Sequence, residues 1–180
     1  MSHEVKTERH VFFQNYDAKA AAGDVYVNTR VQVFREKKAR PDLAFRAGIK
    51  TASGGTLGAA RYTDAPGYYF DASAGKSLLP HDRFRIYAMI GLYVWQTYDP
   101  RYLQNDAILY GLGHSLWIKN WTFRQDLSGY WGYLGNGDRP LLYRFRLERR
   151  QGHLLAMLLG QAGLYDFPYK SLELALGVRL

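Results

Sequence analysis

Cysteine is absent from the 180 residues, which excludes a disulfide framework and any thiolate metal site. No apolar run approaches the roughly 18 residues that a membrane-crossing helix needs, and mean hydropathy is below zero. A helical membrane protein is therefore excluded. A transmembrane β-barrel is not, because its strands carry a polar residue at every second position and look hydrophilic on average. An apolar leader is missing too: "MSHEVKTERHVFF" has no hydrophobic segment of the kind a secretory signal carries. The chain reads either as intracellular or as a processed or shortened form with a start Met, and the strand pattern favours the second. His3, His10, His81 and His153 lack metal-ligand spacing, so neither a metal nor a cofactor is expected.

What is abundant is alternation. In "FRIYAMIGLYVWQTY" (84–98) Phe84, Ile86, Ala88, Ile90, Leu92 and Val94 fall on one parity, and Arg85, Tyr87, Met89, Gly91, Tyr93 and Trp95 on the other. Period two predicts a β-strand with two unlike faces. The same pattern recurs over 24–34, 42–51, 67–77, 141–149 and 171–180, each with aliphatic or aromatic residues opposite polar ones. Only 153–164, "HLLAMLLGQAGL", is apolar on both parities, and periodicity leaves a strand and a short buried helix both open.

Turn residues separate these runs. A two-residue hairpin at Lys119 and Asn120 would set Ile118 against Trp121, Leu116 against Phe123, Ser115 against Arg124 and Gly113 against Asp126. One register then sorts both faces. The links at 35–41, 78–82, 119–120 and 149–152 read as short. Those at 15–23, 52–66, 97–105, 135–140 and 165–170 read as mostly longer. Long loops at one end and short turns at the other is the asymmetry of outer-membrane barrels. Nine strands are expected, with a weaker tenth over 5–14. The whole chain, 1–180, reads as a single barrel domain in which 1–23 hold the weak first strand and a loop.

The aliphatic face is assigned to lipid on two grounds. The opposite face carries Arg30, Arg46, Lys50, Asp71, Arg85, Arg124, Asp126, Arg144, Arg146, Glu148 and Glu173, too much charge for a dry core, where each ion costs several kcal/mol unless paired. The aromatics gather near strand ends (Tyr68, Tyr69, Trp95, Tyr98, Trp117, Trp121, Trp131, Tyr133, Tyr143, Tyr165), as in the interfacial girdles of membrane barrels. On these repeated strands, the girdle residues and the closing "LELALGVRL", the chain resembles the outer-membrane β-barrel proteins of Gram-negative bacteria. The ending is similar to the C-terminal strand signal read by the barrel-insertion machinery. "GDVYVNTRVQV" with "PDLAFRAGIKTASG" also looks like uncharacterised phenol-degradation transporter-like barrels. That second resemblance implies that the chain is the C-terminal part of a larger barrel.

Some outer-membrane barrels are lipid-modifying enzymes, so "GHS" (113–115) bears on chemistry. Adjacent strand residues point to opposite faces, so His114 and Ser115 cannot act on one another. "GGTLGAARYTD" (54–64) lacks the Lys and Ser/Thr of a phosphate loop. The net charge of +8 is dispersed, and no nucleic-acid partner is expected. The fold class is thus all-β, an antiparallel up-and-down transmembrane β-barrel of about 10 strands, in the bacterial outer membrane with lipid around it. Its expected role is a scaffold or narrow pore for small, anionic or amphipathic solutes, without an enzymatic site. An outer-membrane lipid-modifying enzyme and a soluble β-barrel holding a hydrophobic ligand are the alternatives. Oligomeric state is left open.

Overall fold

A computed structural model of the chain describes residues 24–53, 65–79, 83–135, 138–167 and 170–178. They hold nine strands and no helix: β1 (Tyr26–Phe34), β2 (Asp42–Lys50), β3 (Gly67–Ser77), β4 (Phe84–Asp99), β5 (Tyr102–Ile118), β6 (Trp121–Gly132), β7 (Leu141–Gln151), β8 (Leu154–Tyr165) and β9 (Lys170–Val178). All belong to one antiparallel up-and-down sheet in the order β1 to β9. Among the described residues the sheet is not closed, and β1 and β9 are its edges. The weak strand expected over 5–14 lies outside the described residues.

The hairpin at Lys119–Asn120 has the register that face-sorting demands: Ile118 pairs with Trp121, Ser115 with Arg124 and Gly113 with Asp126. Lys119 turns the chain with a φ of 53°. The ambiguous 153–164 stretch is strand β8, paired to β7 and β9 on its two sides. Gly160 and Gly163 weaken any helix there, while ladder bonds on both sides satisfy the strand backbone.

Two expectations need correction. The 97–105 link is not a long loop: β4 and β5 stay paired through Gln96–Gln104 and Asp99–Tyr102, leaving Pro100 and Arg101 as the link. Extended pairing there satisfies backbone groups that a loop would leave to water, and the loop asymmetry is correspondingly smaller. Nor do the aromatics all belong to one outer girdle. Tyr69, Trp95 and Trp117 pair with Tyr93, Asn105 and Thr122 on the charged face. Strand parity, not nearness to a strand end, decides the face.

The two faces are unlike in burial as well as composition. The fully buried apolar side chains are few and mostly small (Ala44, Ala65, Ala107 and Leu142), whereas Lys50, Asp71, Asn105, Ser115, Asp138 and Glu148 are all buried. On the aliphatic face, Phe45, Phe70, Ile90, Leu92, Ile108, Leu112 and Leu172 are half or more exposed. This polarity is inside out relative to a protein folded around an apolar core.

Glycine permits close packing on the charged face. The Tyr69 ring lies over Gly48, and the Tyr87 ring over Gly113, so an aromatic from one strand covers a backbone that lacks its own side chain.

Candidate functional site

The polar face is concave. A cavity of about 760 Å³ is lined by residues from β1 (Arg30) through β9 (Ser171 and Glu173), so the sheet curls until its first and last strands border one space. Register places all eleven charged residues singled out by sequence on this face. Arg30 stands opposite Arg46 and Arg46 opposite Asp71. Arg124 stands opposite Arg146 and Asp126 opposite Arg144. Lys50, Arg85, Glu148 and Glu173 share their parity through Gly67, Ser115, Thr122 and Leu159.

The cavity brings together Arg30, Arg46, Asp71, Arg85, Arg124, Asp126, Arg144, Arg146 and Glu173. Lys50 and Glu148 lie apart from it. Lys50 forms a buried pair with Asp24 at 2.9 Å, their side chains only 4% and 2% exposed. Glu148 accepts from Arg150 at 2.6 Å rather than from Arg146.

On the β1–β4 side nearly every charge is matched. Arg46 grips Asp71 through both Nε and Nη2 at 2.7 Å. Arg85 donates to Glu36 at 2.9 Å and pairs with Asp42. Glu36, from the β1–β2 turn, also accepts from Lys76 at 2.8 Å and from the Ser77 backbone at 3.0 Å. The Lys76 hydrogen bond, supported by Ser77, holds the Glu36 carboxyl down at about 2. Such contacts favour the ionised form.

The β6–β9 side is different. Asp126 accepts from Arg124 Nε at 3.0 Å and from the Tyr87 hydroxyl at 2.7 Å. Arg144, although opposite Asp126 in register, donates instead to Gln161 at 2.7 Å and to Ser128 at 3.5 Å. Arg146 and Glu173 make no hydrogen bond or ion pair among the described residues.

Towards the long-loop end the interior fills with rings. Tyr93 stacks on Trp95 at 4.7 Å, and Tyr130 meets both edge-on at 5.7 and 5.4 Å. Above them Asn105, fully buried, donates to Asp138 at 2.9 Å. Asp138 also accepts from the backbone of Leu134 and Gly135 and so ties the β6–β7 loop down.

Sequence reading missed Glu36, Asp24, Asp42, Asn105 and Asp138. Asp42 and Asn105 share parity with Arg46 and Ala107, a signal that was available. Glu36 and Asp138 sit in connections, where alternation says nothing.

His114 and Ser115 face opposite sides: Ser115 is buried beside Arg124, while His114 lies on the convex face between Phe84 and Phe123. Gln125, opposite His114, donates to the Tyr143 hydroxyl at 2.6 Å. No protein-family model matches the chain, and a search of curated proteins finds no match.

Proposed function

We propose that the chain is a small outer-membrane β-barrel of about ten strands, acting as a scaffold or narrow pore for small, anionic solutes. The carrying observation is the inverted polarity: charged side chains gathered on the concave face, with Lys50, Asp71 and Glu148 buried there, and large apolar side chains exposed on the convex one. Fully burying one Leu, Ile or Phe is worth about 1.5–3 kcal/mol, so a face of this extent left in water would oppose folding. It also exceeds the patch that a soluble monomer exposes. Lipid removes that cost.

Dimensions agree. Every strand has nine residues or more, and a tilted transmembrane strand needs about 9–11. Trp121 and Trp131, both on the convex face of β6, are ten residues apart. At about 3.3 Å per residue that is about 33 Å along the strand, or about 25 Å in height at a tilt near 40°, the height of the apolar band. An arginine caps each ring: Arg149 lies 5.3 Å from Trp121, and Arg139 4.7 Å from Trp131.

Strand parity suits closure. In an up-and-down sheet β1 and β9 run the same way, so a tenth strand between them makes every pairing antiparallel. The exposed Leu172, Leu174, Leu176 and Val178 of β9 suit recognition of this last strand by the barrel-insertion machinery. A hydrophobic ligand finds little match in a concave face lined by arginines.

Tryptophan placed at Ile90 tests the reading in liposomes, with the four native tryptophans changed to Phe. The reading expects quenching of that residue by lipids brominated deep in the chain, and none by acrylamide. Strong acrylamide quenching would put the convex face in water and remove the basis of the proposal.

A further inference from the structure

We infer that the β6–β8 wall of the cavity is a binding site for a small oxyanion, a carboxylate or phosphate group, held by Arg124, Arg144 and Arg146. This deepens the reading of the concave face as a passage for anionic solutes and locates the contact.

Three guanidinium groups gather here around a single carboxylate. Arg146 stands directly across the ladder from Arg124, and Arg144 lies two residues along the same face of β7. Like charges directly opposite one another destabilise a sheet. Asp126 is committed to Arg124 and to the Tyr87 hydroxyl, while Arg144 has turned to the neutral Gln161 and Ser128. Arg146 has no partner among the described residues. Glu148, two residues along the same face of β7, is taken by Arg150, and Glu173 lies across two ladder steps through Leu159, or about 9–10 Å at normal strand spacing.

An oxyanion between Arg144 and Arg146 would supply the missing negative charge and accept charge-assisted hydrogen bonds in the planar geometry guanidinium prefers. Ser128 and Gln161 add polar groups at its edge. The volume, about 760 Å³, falls within the range of small-molecule pockets, about 300–1,000 Å³. On the β1–β4 wall Arg46 and Arg85 are already bound to Asp71, Glu36 and Asp42. That leaves only Arg30, opposite Arg46, as a cavity-lining arginine without a partner among the described residues, against a cluster of three arginines on the β6–β8 wall.

The test is calorimetric titration of the full chain with inorganic phosphate at constant ionic strength, in a nonionic detergent. That medium supplies no headgroup phosphate, so the heat is that of the free ion. If the chain folds in plain buffer instead, the titration is done there. Failure of the membrane reading and failure of the site are thus separate results.

Saturable binding of one phosphate per chain is expected. The double change Arg144→Gln with Arg146→Gln weakens it about tenfold or more, as loss of charge-assisted bonds requires. Glu173→Gln, which removes the competing carboxylate and leaves the arginines in place, tightens it and carries the test if the double variant does not fold. Arg149→Gln, on the convex face beside Trp121, binds as the unchanged chain does. Absence of saturable binding, equal affinity in the double variant, or weaker binding in Glu173→Gln would each overturn the site.

Discussion

The two walls of the cavity are built from the same residue types to different ends. On the β1–β4 wall, Arg46 and Arg85 meet carboxylates, beside them Lys50 meets Asp24, and Arg30 alone of the cavity-lining arginines there has no partner among the described residues. On the β6–β9 wall, Arg124 takes the one close carboxylate, and Arg144 and Arg146 do without. The first wall is a structural network. The second retains uncompensated positive charge facing a cavity, and that charge is what a solute can use.

The largest effect that sharpens this contrast is expected at Lys50→Met. It removes the ammonium from a pair whose side chains are 4% and 2% exposed, and breaking such a buried pair costs about 3–5 kcal/mol. Denaturant unfolding of the refolded chain measures it. A change under about 1 kcal/mol would class the pair with surface ion pairs.

Next is Gly113→Ala, where the added methyl meets the Tyr87 ring and the Asp126 carboxylate. Overpacking of this kind costs about 1–3 kcal/mol, again read from the unfolding midpoint. Gly177→Ala, at a position with only ordinary contacts to Leu155, is the matching control and should change little.

A smaller effect depends on pH. The folded Glu36 carboxyl sits at about 2 against an ordinary 4.5. A depressed carboxyl contributes stability that is fully present above its unfolded value and is lost as pH falls through its folded value. The unfolding midpoint should therefore drop between pH 4.5 and about 2, and Glu36→Gln should flatten that part of the curve. An identical slope in the variant would remove Glu36 from the network.

The smallest effect is predicted for Arg146→Gln, which relieves repulsion against Arg124 and breaks no bond. Stability should change by no more than about 0.5 kcal/mol, or rise. A loss comparable to that of Lys50→Met would show that the β6–β9 wall is structural after all, and the contrast between the walls would disappear.

Much of the sheet was legible because period two is a strict constraint. Once Lys119 and Asn120 form the turn, the partners of β5 and β6 follow residue by residue, and a one-residue slip would move every charge to the aliphatic face. The same parity collected the charged residues of the concave face. What alternation does not encode is partner choice within a face. Asp126 lies opposite Arg144 but binds Arg124 on its own strand, and Glu148 takes Arg150 rather than Arg146. These choices depend on side-chain reach and on competing hydroxyls such as that of Tyr87. Glu36 was invisible for another reason: it acts from a turn, across two strands, on Lys76 and Arg85. The aromatics misled where position along a strand was read as face, and Trp95 and Trp117 line the interior instead.

The central claim is that the convex face is solvated by lipid. Refolding the chain from denaturant into detergent micelles, and in parallel into plain buffer, tests it most directly, with gel mobility before and after boiling as the readout. The account predicts a folded band that forms only with detergent and shifts on boiling. A chain that is folded and monomeric in plain buffer would contradict it.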